Sequence, residues 1–268
     1  MIAIAHFIAI SCYIAAAALA ALPFARRVRA PVGAVIALLA VGAAIHSIGL
    51  AQLTLRSGPA SLTGLGPALS FAGFVLAVAL IVVETFAHEV TLTMAAAPLA
   101  ALMTTAGNVT GLHPLLDPSG SRASWLVLHI VLSFAGIAAY ATAAAAGTMY
   151  LVARRELKSA RFGAIYRFFP PLETLDRVNH FATIAGFLGL TLGVALAGAY
   201  SIAYRAVVMP QIVWGMGAWI CVSALALGRI LRGWQARRAA VLSTVTFLSV
   251  VALYIVFRVA VLNRGQFL

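Results

Sequence analysis

Six histidines stand at His6, His46, His88, His113, His129 and His180, most of them in or beside long apolar runs. An imidazole in hydrocarbon is costly unless it is partnered, and ionisable groups inside membrane spans usually mark a site. His129 poses the question most sharply, five residues into the run "SWLVLHIVLSFAGIAAY". At the rise of an α-helix that is roughly 8 Å below the start of the run. His46 stands fourteen residues after the start of its own run at Val32. In a hydrocarbon layer of about 30 Å, this leaves it roughly 9 Å from the far face. If the two runs cross in opposite directions, both rings reach the same depth. His6, near the start of the first run, falls at a similar level, whereas His180 and His88 fall near the other face and His113 lies in a loop.

Two neutral imidazoles at one depth suit the axial positions of haem iron. Zinc and copper generally want a third and fourth ligand. No acid or thiol stands at that depth in the runs that carry His46 and His129, and Glu84 and Glu89 fall at the opposite face. A large flat apolar ligand therefore fits better than a bare ion. The candidate iron ligands are His46 and His129. His180, with His88, would form an inner station, and His6 is a further cofactor-binding candidate. Trp219 would stack on a porphyrin or pack on a neighbouring helix, and Arg177 or Arg205 would pair with propionates. The bland alternative for any single histidine is a hydrogen bond to the next helix. It weighs most for His88 and His113, near the water. No Gly-rich phosphate loop, H-E-x-x-H or G-x-S-x-G occurs, so no enzyme is expected.

The elements that position these rings follow from composition. The 268 residues are 63% hydrophobic and only 9% charged, against roughly 25% charged in soluble domains. Runs of about 20 apolar residues recur along the chain. Eight spans are expected: Ile2–Phe24, Val32–Leu55, Pro67–Phe86, Val90–Gly107, Ser124–Ala153, Asn179–Tyr204, Gln211–Leu231 and Ala239–Leu262. The fold class is an all-α polytopic membrane bundle, a single integral domain over residues 1–268. Four loops on one side hold or border thirteen of the eighteen Lys and Arg residues. The positive-inside rule makes that side cytoplasmic and puts both termini on the outer, periplasmic side. The net charge of +12 thus reports topology and attraction to anionic lipids, with no nucleic acid implied. A basic cytoplasmic loop covers residues 154–178, and its "PPLETLDRVNH" reads as an amphipathic approach to the sixth span with Thr174 or Asp176 as helix cap. Gly186, Gly189, Gly193 and Gly198 in that span signal close helix packing. Cys12 and Cys221 read as small buried hydrophobes.

Three stretches together resemble a known family: "WLVLHIVLSFAGIAAYATAAAAGTMYLVARRELK", "FFPPLETLDRVNHFATIAGFLGLTLGVALAGAY" and "RGWQARRAAVLSTVTFLSVVALYIVFRVAV". The chain resembles the cytochrome c assembly membrane protein family, with its CcsA/ResC, CcmC-type and HemX-like haem-handling members. Residues 124–262 carry the likeness well and the first four spans more loosely. The resemblance implies a b-type, non-covalent haem, with His129 matching an outer haem ligand. The tryptophan-rich motif of the ligases lacks its Asp in "PQIVWGMGAWI", Leu227 replaces a histidine, and no final outer histidine follows Arg258. The YpjD-like branch is most similar, with histidines matching His46, His129 and His180. The expected function is haem handling or cytochrome c assembly in the cell inner membrane, with haem, lipids and cytochrome assembly proteins as partners. The competing reading is a cofactor-free transporter or scaffold subunit.

Overall fold

Apolar residues cover both faces of nearly every long segment, as suits helices with lipid on one side and protein on the other. In the computed structural model these segments are helices. It describes residues 1–25, 31–58, 61–62, 64–87, 90–113, 121–159, 169–205 and 209–262. The helices are α1 (Ile2–Ala20), α2 (Leu22–Ala25), α3 (Val32–Ser57), α4 (Leu65–Ala87), α5 (Thr91–Thr110), α6 (Ser121–Ser159), α7 (Leu172–Tyr204), α8 (Met209–Arg232) and α9 (Ala236–Leu262). Among the described residues there is no strand. Among the described residues seven helices are long and apolar enough to cross a membrane, and the chain is a multi-pass membrane protein. The fourth expected span is a helix too, α5, but it stands outside those seven and carries five threonines and Pro98.

The described residues fall into two compact units, one mainly Met1–Val127, the other Leu128–Arg161 and Pro171–Leu268. In the first, α1 packs on α3 and α5, and α4 packs on α3 and α5, so four helices close a ring. Small residues make this closeness possible. A Cβ on Gly42 of α3 would sit 2.8 Å from the Cβ of Cys12, and one on Gly73 of α4 would sit 2.7 Å from the carbonyl of Ala100. Glu84, fully buried, accepts the backbone N–H of Thr93 at 2.7 Å and so caps the start of α5.

In the second unit α7, α8 and α9 pack on one another, and α6 lies against α7 and α9. The glycines of α7 define the α6–α7 seam. A Cβ on Gly189 would lie 2.8 Å from the Cα of Gly136, and one on Gly186 would meet Tyr140. Gly198 faces open space and takes no part. Buried Ala182, Leu190, Val222 and Leu225 complete a core with Tyr140, whose hydroxyl bonds Thr246 of α9. On the opposite face of α7, Phe181, Leu188 and Leu192 are exposed, as lipid-facing side chains of a span would be.

Candidate functional site

In the first unit, Gly42 and Gly49 flank His46 on α3 at i−4 and i+3, on the helix face turned to α1. The missing side chain at Gly49 leaves room for the ring of His6, only 2.9 Å from where a Cβ would be. His6 and His46 consequently meet edge to face, with centroids 4.8 Å apart, both fully buried. Tyr13, two turns along α1 from His6, places its hydroxyl 3.2 Å from His46 Nδ1. Ser70 of α4 places its hydroxyl 2.9 Å from His46 Nε2, and Phe74 closes the side of the ring at 5.7 Å. A neutral imidazole has one N–H and one lone pair, so one hydroxyl donates to His46 and the other accepts from it. His6 is held differently. Its Nδ1–H donates to the carbonyl of Ile2 at 2.8 Å, while its buried Nε2 meets no hydrogen-bond partner among the described residues.

In the second unit His129 is half-buried on α6. Its Nδ1–H donates to the backbone carbonyl of Gly193 at 2.8 Å, with the Ser133 hydroxyl at 3.4 Å. This contact depends on the glycine seam, because a Cβ on Gly193 would collide with Ser133. No hydrogen bond reaches His129 Nε2 among the described residues. A histidine that donates Nδ1–H to a carbonyl and leaves Nε2 open has the tautomer and orientation of a metal-ligating ring. His129 and His6 both fit haem iron in this sense, and His46 fits it only on release of one of its two hydroxyl partners. His46 and His129 belong to different units.

His180 stands in another setting. Arg229 of α8, its side chain only 2% exposed, donates to Asp176 Oδ1 at 2.8 Å, to Asn179 Oδ1 at 2.5 Å, and approaches His180 Nδ1 at 3.4 Å. Asn179 in turn donates to the Ala143 carbonyl and to Ser243. Contrary to expectation, neither Thr174 nor Asp176 caps α7. The helix begins at Leu172 with Pro171 before it, so both lie inside it. Asp176 instead accepts the N–H of Ala236 at 3.1 Å and caps α9. The helix starts early because Pro171 pre-sets the entering backbone.

A model of the cytochrome c assembly protein family matches residues 4–262. The chain belongs to that family. Its membership supports a role in cytochrome c biogenesis and haem handling, and it implies haem. No curated protein and no solved structure matches this family member.

Trp219 packs in the core of the second unit and donates Nε1–H to Thr191 at 3.0 Å. Arg177 is exposed and paired with Glu173 at 3.0 Å, and Arg205 ends α7 in a left-handed conformation. His113 is exposed, and His88 lies outside the described residues. Cys12 and Cys221 are free thiols, partly buried. Tyr13, Ser70 and Arg229 escaped sequence reading, because a lone hydroxyl in an apolar run carries no periodic signal and Arg229 counted only as loop charge.

Proposed function

We propose that this family member is a haem-handling protein of the cell inner membrane, a carrier and not a catalyst, that supports cytochrome c assembly. Haem would be held non-covalently through imidazole, with iron supplying the ligand-binding and redox chemistry of the cargo. The observation that carries this reading is His129, its Nδ1–H fixed on the Gly193 carbonyl and its Nε2 left open. In the first unit the ring with an open nitrogen is His6, and His46 backs it edge-on. His46 becomes a ligand when Ser70 or Tyr13 lets go, so bis-histidine ligation that includes His46 requires that rearrangement. His180 is the proposed inner station; Arg229 beside it is already paired with Asp176, so a propionate there would have to compete with that carboxylate.

The test is the visible spectrum of the detergent-extracted protein, before and after haemin is added. A Soret band with low-spin features is expected, reduced or converted to high-spin by His129→Ala. A spectrum after haemin addition that is the same as that of haemin in detergent alone sinks the reading. The fully bonded state of His46 also suits a cofactor-free transporter or scaffold. In that case His46→Ala and His129→Ala would lower stability and leave haemin binding unchanged.

A further inference from the structure

Away from the histidines, the end of α6 and the start of α9 enclose an open cavity of about 510 Å³ in the second unit. Its lining is Leu151, Arg154, Arg155, Lys158, Ser159 and Arg237. The α6 members recur at intervals of three and four residues, which puts them on one helix face. Four cations and no carboxylate line this space. Glu156, between them in sequence, is not part of the lining, and among the described residues none of the four cations has an acidic partner. Four like charges gathered around one cavity repel one another unless an anion enters. Ser159 spends its hydroxyl proton on the Glu156 carbonyl, so recognition falls to the cations.

We propose that this cavity binds the phosphate groups of an anionic headgroup. Guanidinium forks match phosphate oxygens in pairs, and a lysine adds a mobile point charge. The volume is many times the roughly 30 Å³ of a water molecule, so it suits a headgroup better than a single small ion. The cavity sits at the ends of two membrane-crossing helices. Nearby, Trp234 fills the notch left by Gly228 and stacks under Arg238 at 4.2 Å, an arrangement suited to the headgroup layer. Basic pockets between spans are where lipids with several phosphates dock. The same chemistry would accept free phosphate or pyrophosphate, and the experiment separates the two sources.

The full chain is purified in detergent and its lipid adducts are counted by native mass spectrometry with diphosphatidylglycerol or phosphatidylcholine. Pyrophosphate binding is followed by calorimetry. The cavity double variant Arg155→Gln/Lys158→Gln is compared with Arg177→Gln/Arg232→Gln, which removes the same charge outside the cavity. The cavity variant should bind diphosphatidylglycerol roughly thirtyfold more weakly, with the control changed less than about threefold. If pyrophosphate binding is lost in the cavity variant while lipid adducts persist in both, the phosphate site stands and its ligand is the free anion. Equal losses in both variants, or no binding of either ligand above phosphatidylcholine, would overturn the proposal. Both variants alter exposed side chains, and a thermal melt confirms that each remains folded.

Discussion

At the scale of single residues, His6, His46 and His129 differ in what their nitrogens are free to do. His129 and His6 each spend one nitrogen on a backbone carbonyl, whereas His46 spends both on hydroxyls. Ser70→Ala should therefore free His46 Nε2. The expected result is haemin binding at least as tight as in the parent protein, together with a lower melting temperature. A haemin titration beside a melt checks both halves. Tyr13→Phe removes the partner of Nδ1 in the same way, and interhelical hydrogen bonds in membranes average about 0.6 kcal/mol. A small loss of that order in denaturant unfolding is expected. The rise per residue puts His46 and His129 at one depth with His6 at a similar level, and of these the structure brings the rings of His6 and His46 together. Depth carries no information on which ring would be saturated, because that depends on hydroxyls contributed by two other helices.

At the scale of elements, the glycine seams decide which backbones approach closely enough to serve as acceptors. Gly189→Leu would force α7 away from Gly136 of α6 and draw Gly193 out of reach of His129. Overpacking of this kind costs about 1–3 kcal/mol. The variant should melt earlier and also lose the haem spectrum that depends on His129, whereas Gly198→Leu, facing open space, should change neither. The Asp176–Arg229 pair ties α7 to α8, and the same carboxylate caps α9. Asp176→Ala leaves a buried guanidinium short of its counter-charge, a loss of roughly 3–5 kcal/mol. The double variant Asp176→Leu/Arg229→Leu should cost less than the two single changes added together, as a double-mutant cycle in detergent would show. The sequence marked the glycines of α7 as packing residues and three of the four are. It gave no hint of the seam from Gly66 through Gly73 to Gly107 between α4 and α5, since glycines spread across two helices form no motif along either one.

At the scale of the whole molecule, the distribution of Lys and Arg predicts that the α6–α7 connection faces the cytoplasm and the end of α3 faces outward. In a background free of Cys12 and Cys221, Ser57→Cys should react with a membrane-impermeant maleimide in intact cells. Lys158→Cys should react only after lysis. The reverse pattern would invert the topology and move the basic cavity to the outer face. Family membership across residues 4–262 does not depend on that outcome.

Composition and run length alone established a multi-pass helical membrane protein, because about 20 apolar residues have few other ways to satisfy their backbone in lipid. The motifs around His129 and the run from Pro170 to His180 pointed to the family. Tertiary structure decided what each polar side chain does. It turned Asp176 from an expected cap of its own helix into the cap of α9, paired His46 with Tyr13 and Ser70, and gathered four cations around one cavity. The reason is geometric. Membrane insertion is governed by sums over a local segment, whereas a hydrogen bond between helices depends on side-chain direction and on close approach by residues that are far apart in the chain.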